Sequence, residues 1–195
     1  MERLRRTPSQ TIGPFFAYGL TARQYGYDFN SIVTGSMIAD NGPGNRVQIS
    51  GKVLDGNDAP ISDAMLECWQ ADAEGRFNKM IRLPHDGFIG LGRLGTGTEP
   101  DFSFRFTTIK PGSMREGMAP HINIILFMRG SLHHLYTRIY FSDEAEANQS
   151  DELLKIVPEE RRHTLVAKRS RKSGIPEYLF DIHMQGAKET VFFEI

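Results

Sequence analysis

The stretch Val47-Gln48-Ile49-Ser50-Gly51-Lys52-Val53-Leu54 alternates apolar and polar residues, and Asp55-Gly56-Asn57-Asp58-Ala59-Pro60 follows it directly. Successive side chains of a strand point to opposite faces, so the first run reads as a half-buried strand. The second run holds the residue types that tight turns require. Outward from this point the same pattern returns. Residues 64–70 read as a second strand, with Leu66, Cys68 and Trp69 placed for burial. Phe102-Ser103-Phe104-Arg105-Phe106-Thr107 alternates cleanly and ends at the turn Lys110-Pro111-Gly112. Further strands are predicted at 121–128, 135–141, 164–168, 178–184 and 191–195. Between the second and third strands, residues 71–101 are broken by Gly75, Pro84, Gly87, Gly90, Gly92, Gly95, Gly97 and Pro100, which predicts a long excursion. One short helix is expected over 150–157, with Ser150 as N-cap, Asp151 and Glu152 in the first turn and Pro158 as the stop. Many short strands and one minor helix predict an all-β fold, a β-sandwich of mostly antiparallel strands.

Residues 1–46 carry Phe15, Phe16, Tyr18, Tyr25, Tyr27 and Phe29 without a sustained period of 2 or 3.6. That is too apolar for a free tail. It is expected to be an extended N-terminal arm lying on its own domain (47–195) or on a partner chain. The 195 residues suit one such domain and can bury a real core. The formal net charge of −1 gives no support to a nucleic-acid or anionic-membrane partner. Cys68 is the only cysteine, which fits a reducing compartment. No apolar run approaches the ~20 residues of a membrane helix, and the first six residues lack an apolar signal segment. The expected location is cytoplasmic.

His121-Ile122-Asn123 places positions i and i+2 on one strand face, where His-x-His would offer two ligands to one metal. Asn123 stands at the second position, and a neutral amide is a poor ligand for a ferric ion. From the residues alone, His121 reads as a hydrogen-bonded structural histidine. His183 reads as structural as well, and Trp69 as a core anchor.

Several blocks resemble the intradiol aromatic-ring dioxygenases. They are Gly51-Lys52-Val53-Leu54-Asp55-Gly56, Glu67-Cys68-Trp69-Gln70-Ala71-Asp72-Ala73-Glu74-Gly75-Arg76-Phe77, Phe104-Arg105-Phe106-Thr107-Thr108-Ile109-Lys110-Pro111-Gly112 and Ala119-Pro120-His121-Ile122-Asn123. The resemblance implies a ferric ion held by two tyrosines and two histidines. Here the corresponding positions are Phe77, Met114, His121 and Asn123, and Met118 stands where the family places an arginine. Three of the four ligands are missing, which makes these vestigial iron-site positions. That pattern is similar to the iron-free alpha chains of the heteromeric members that cleave protocatechuate. Such chains pair with a homologous iron-bearing beta subunit in a higher oligomer. The resemblance then implies that Fe(III) is bound by the partner and not by this chain. It also implies that Thr7-Pro8-Ser9-Gln10-Thr11-Ile12-Gly13-Pro14 brings Thr11, Gly13 and Pro14 to the partner's substrate pocket. The reaction implied uses O2 to open protocatechuate between its hydroxylated carbons, giving 3-carboxy-cis,cis-muconate.

Gly-Pro is ordinary loop punctuation, but its setting in Ser-Gln-Thr-Ile-Gly-Pro favours the pocket reading. Glycine lets backbone approach a flat ring, and proline stiffens the wall without offering a donor. His133 and His134 read as surface histidines, with His133 as a candidate cation for the substrate carboxylate. Two other readings stand beside this one. A self-sufficient iron dioxygenase with unrecognised ligands is opposed by Phe77, Met114 and Asn123. A non-enzymatic β-sandwich binding module is opposed by the arm motif.

Overall fold

The computed structural model describes residues 6–13, 15–40, 42, 44–78, 87–170 and 174–194. The strands are β1 (Arg46–Leu54), β2 (Met65–Trp69), β3 (Leu91–Gly95), β4 (Ser103–Ile109), β5 (His121–Phe127), β6 (Leu135–Phe141), β7 (Val166–Arg169), β8 (Glu177–Leu179) and β9 (Ile182–His183). One hydrogen-bonded path runs β3-β2-β5-β6-β7-β8-β1-β4, and β9 pairs with β1. Among the described pairs, β1·β4, β2·β3, β2·β5, β5·β6 and β7·β8 are antiparallel, whereas β1·β8, β1·β9 and β6·β7 are parallel. The end strands β3 and β4 approach one another, so this all-β sheet is nearly closed.

The closure has a simple cause. Each strand has one apolar face, and all these faces meet in one cluster that includes Ile49, Leu66, Phe106, Ile122, Ile139 and Tyr178. Full burial of such a side chain contributes about 1.5–3 kcal/mol. On β5 the inward apolar set is Ile122, Ile124 and Leu126, which places His121, Asn123, Ile125 and Phe127 on the opposite face.

Two expectations need correction in the 64–101 region. Trp69 is not a core anchor: it is 48% exposed, because Leu66 and Cys68 take the inward positions of β2. The excursion also contains strand β3. Its glycines are not breaks but close approaches. A Cβ on Gly92 would meet Met37 Cγ at 2.7 Å and Phe106 Cδ1 at 2.9 Å, and one on Gly95 would collide with the Tyr25 hydroxyl. Those two residues, Met37 and Tyr25, belong to the arm. The arm also adds helix α1 (Phe16–Leu20) and a 3₁₀ turn at Ala22–Tyr25. Gln24 exchanges hydrogen bonds with both backbone groups of Gly95, at 2.7 and 2.8 Å.

The single expected helix is three among the described residues: α2 (Ala145–Ser150), α3 (Glu152–Ile156) and α4 (Glu159–Arg162). Ser150 ends α2, and the N-cap of α3 is Asp151. The expected strand over 178–184 divides into β8 and β9, and the segment after 190 contributes only the bridge of Phe193 to Tyr136; Ile195 lies outside the described residues. No helix among the described residues is long and apolar enough to cross a membrane.

Asp151 is 1% exposed. Its Oδ1 accepts the N–H groups of Leu153 and Leu154, each at 2.9 Å, and the Tyr140 hydroxyl at 3.1 Å. Its Oδ2 accepts the Ala119 N–H at 2.8 Å, just before β5. Hydrogen bonds to a charged group contribute about 1.5–3 kcal/mol each, and a stranded buried donor costs as much again. Asp151→Ala should therefore lower stability in urea unfolding by about 3–5 kcal/mol. A loss below about 1 kcal/mol would contradict this account.

Candidate functional site

The outward faces of β2, β5 and β6 form a row. Trp69 pairs in register with Asn123, and Asn123 pairs with Arg138 on β6. One step along, His121 pairs with Tyr140. Of the four positions that correspond to family iron ligands, His121 and Asn123 lie in this row, Phe77 packs on it, and Met114 lies against the loop that carries Phe77. Two turns bring the distant pair to it. In the first, Asp72 Oδ1 accepts the N–H groups of Glu74 and Arg76 at 2.9 and 2.8 Å, closing the loop that delivers Phe77. In the second, the Gly112 N–H donates to the Asp72 carbonyl at 2.8 Å, which lays the Lys110-Pro111-Gly112 turn on the first loop. Gly75 touches the backbone of Ser113 and Met114 so closely that a Cβ there would collide. Lys110 anchors the second turn through Asp143 at 3.0 Å and Glu144 at 2.5 Å. The Phe77 ring then stands edge-on to Trp69, with centroids 5.5 Å apart at 72°.

The chemistry of this cluster does not fit a ferric ion. Phe77 offers a hydrocarbon edge, and Met114 a soft thioether that is 39% exposed. Both ends of the Asn123 amide are engaged: Oδ1 accepts from Arg138 Nε at 3.1 Å, and Nδ2 donates to the Trp69 carbonyl at 3.3 Å. His121 alone retains ligand form. Its Nδ1 lies 2.8 Å from the Ala119 carbonyl, which can only accept, so Nδ1 carries the proton and Nε2 the lone pair. Burial pushes the His121 imidazole below its ordinary value; the Ala119 bond opposes this and the Arg138 charge adds to it. Burial likewise pushes the Tyr140 phenol up to about 12, so it stays a neutral donor to Asp151. Among the described residues, no three His, Cys, Asp or Glu side chains gather as a metal cluster.

Thr11, Gly13 and His133 form a second group, at the other end of β5. Thr11 Oγ1 accepts the Gly130 N–H at 2.8 Å, in the turn that leads to His133. The Gly13 carbonyl accepts the Phe16 N–H at 3.2 Å, and Phe16 packs on Phe127 with centroids 5.4 Å apart. His133 is exposed, as is His134, whose Nε2 is 2.6 Å from the Tyr136 hydroxyl. Pro14 lies outside the described residues. Asn123 and Phe127 are four residues apart, roughly 13 Å along an extended strand. The two groups therefore do not share a site within this chain. A cavity of about 330 Å³, bordered by Arg23, Arg93, Glu99 and Arg105, contains none of the residues of either group.

This sheet, with its Trp-Gln-Ala strand end and its two interlocked turns, is the framework of an oxygen-using ring-cleavage enzyme. The chain belongs to the dioxygenase family, whose sequence model matches residues 28–186. It is 49% identical to the protocatechuate 3,4-dioxygenase alpha chain of Burkholderia cepacia, covering 100% of both chains. It is 32% identical to the protocatechuate 3,4-dioxygenase beta chain of the same organism, over 75% of this chain and 67% of that one. Among solved structures it is similar to the dioxygenase domain of a dioxygenase and carbohydrate-binding protein fusion from Streptomyces sp. SirexAA-E. The TM-score there is 0.63 at 28% identity, covering 94% of this chain and 100% of that one.

Arg138, Tyr140 and Asp151 are the site residues that sequence reasoning missed. The signal was present for two of them: β6 alternates Tyr136, Arg138 and Tyr140 against Thr137, Ile139 and Phe141. What the sequence lacked was the register that sets Arg138 opposite Asn123. The His121 environment gives a pH prediction. Its folded value lies below the unfolded one of about 6.5. The neutral form therefore stabilises the fold above about pH 6.5, and this contribution is lost as pH falls from there through the folded value. NMR titration should show His121 as the Nδ1–H tautomer, still neutral where exposed histidines are half protonated. A titration of His121 at or above the exposed histidines would contradict the assigned environment.

Proposed function

We propose that this chain is the alpha subunit of a protocatechuate 3,4-dioxygenase. In this reading it holds no iron of its own and completes the substrate pocket of a homologous, Fe(III)-bearing beta subunit. The assembled enzyme uses O2 to cleave protocatechuate to 3-carboxy-cis,cis-muconate. The observation that carries the reading is the donor set at the ligand positions, where Phe77, Met114 and Asn123 leave His121 as the one metal-competent group. The full-length similarity to a protein named as an alpha chain supports it, as does the similarity to the corresponding beta chain. We read the nearly closed sheet as the two-layered sandwich of such subunits, and the location as cytoplasmic.

The same reading assigns Thr11, Gly13, Pro14 and His133 to the partner's pocket. Their distance from the Phe77–Asn123 cluster supports action in trans. So does the outer surface of the arm region, where Phe15, Phe29 and Ile32 are 76%, 72% and 77% exposed. Side chains of that size gain most by burial against another chain. His133 would meet the substrate carboxylate, and the backbone at Gly13 the aromatic ring. Gly13 is not in the left-handed region, and a Cβ there would meet nothing within 4 Å in this chain. A Cβ at 13 therefore meets open space among the described residues of this chain, which supports a penalty that arises in the pocket.

The test is Gly13→Val in the assembled enzyme, with iron measured on each chain after separation. All the iron should be found on the beta chain, in unaltered and substituted enzyme alike. Misplacing a bound substrate by about 1 Å costs roughly a hundredfold in rate. Gly13→Val should accordingly lower kcat/KM by about that factor with full iron content and an unchanged resting spectrum. Near-stoichiometric iron on this chain would overturn the assignment, and full activity would remove Gly13 from the pocket.

A further inference from the structure

We propose that Arg138 is the cation beside the abandoned metal site: its guanidinium neighbours the position that a metal would need, and its charge excludes iron even when the ligands are restored. This rests on the reading above, in which the chain carries no iron, and it names the group responsible.

Strand β5 still offers one side chain in the form that a metal requires. His121 is fixed by the Ala119 carbonyl at 2.8 Å with Nε2 unprotonated, the form a metal requires. The two turns still deliver positions 77 and 114 to the same end of the strand. Backbone and tautomer alone therefore do not account for the loss of the metal. The added feature is a charge. Arg138 Nε lies 3.1 Å from Asn123 Oδ1, and Arg138 shares the outer face of β6 with Tyr140, which pairs in register with His121. Arginine remains charged at any pH the protein survives. The groups facing it are the neutral Asn123 amide, the Tyr140 phenol and the His121 imidazole. In the β2–β5–β6 row the guanidinium and Asn123 also do a metal's mechanical work: the amide bonds the Trp69 carbonyl on one side and Arg138 on the other. A metal bound through position 123 would sit within about 5 Å of the guanidinium. Like charges at that separation in a partly buried site repel by enough to change affinity many-fold.

The experiment compares two variants of this chain in complex with its partner subunit. The first restores the ligand set: Phe77→Tyr, Met114→Tyr and Asn123→His. The second adds Arg138→Gln. After chain separation, iron and the visible tyrosinate-to-iron absorption are measured on this chain. The three-substitution variant should hold no more iron than the unaltered chain, and the four-substitution variant should approach one iron per chain. Full iron in the three-substitution variant overturns the inference. So does a correctly assembled four-substitution variant that takes up none. Should either variant fail to assemble, a lighter pair decides the matter: Asn123→His with and without Arg138→Gln, titrated with Ni(II) in the complex. Removal of the guanidinium should tighten the additional Ni(II) site at least about tenfold, and equal affinity overturns the inference. Iron already present on the unaltered chain is a different result, and it would defeat the preceding assignment instead.

Discussion

The start of β5 and the end of β6 are tied together by the carboxylate of Asp151. It accepts four donors from three parts of the chain: two α3 amides, the Ala119 amide and the Tyr140 hydroxyl. A buried carboxylate is costly unless its lone pairs are taken up, and here one geometry satisfies all four donors. The consequence reaches the candidate site directly. Ala119 is held by Asp151 through its N–H and holds His121 through its carbonyl, so the helical segment after β6 sets the tautomer of a histidine on β5. Gln70 plays the corresponding part at the other edge. Fully buried, it donates to the Ile109 carbonyl at 2.8 Å and accepts from Thr108 at 2.9 Å, tying the end of β2 to the end of β4.

The inner and outer faces of the same strands are under different physical constraints in this molecule. The inner face is a continuous apolar cluster drawn from every strand, and it fixes the register. The outer face inherits whatever that register places side by side. Neither Phe77 nor Asn123 belongs to that buried apolar cluster. This is why a chain can keep the framework of a metalloenzyme while its donor set no longer fits the metal. The two turns beside this row are closed by internal bonds: Asp72 caps its own loop, and Gly112 docks on the Asp72 carbonyl.

The legible and illegible parts of the fold divide along the same line. Alternation revealed β1, β2, β4, β5 and β6 to within a residue or two, because each has one wet and one dry face. Strand β3 was hidden because its glycines resemble punctuation, and only the packed positions of Met37 and Tyr25 explain them. Trp69 was misread because aromatic size suggests burial, whereas Leu66 and Cys68 had already claimed the inward positions. Ser150 has the residue type of a cap but Asp151 provides it, since a sequence does not say where one short helix ends and the next begins. The ligand positions were legible from motif resemblance alone. Arg138 was not, because a cross-strand neighbour exists only once register is known.

One question left by the geometry is why the arm should sit so far from the vestigial cluster if both belong to one enzyme. Within a single chain the distance is a defect: Thr11 and Gly13 lie at the Phe127 end of β5, while His121 and Asn123 lie at the start. In a pair of homologous chains it becomes a requirement. A pocket built in trans needs a surface that projects beyond the chain's own sheet, and the arm meets that need. Thr11 is fixed by the Gly130 amide and Phe16 by the Phe127 ring, so the segment is held in place before any partner arrives. A preformed wall loses less conformational freedom on association than a loose tail would, and so keeps more of its contact energy as affinity. The exposed Phe15, Phe29 and Ile32 in the same part of the chain then have a physical reason to remain uncovered here. In the proposed assembly they are apolar surface whose complement belongs to another subunit.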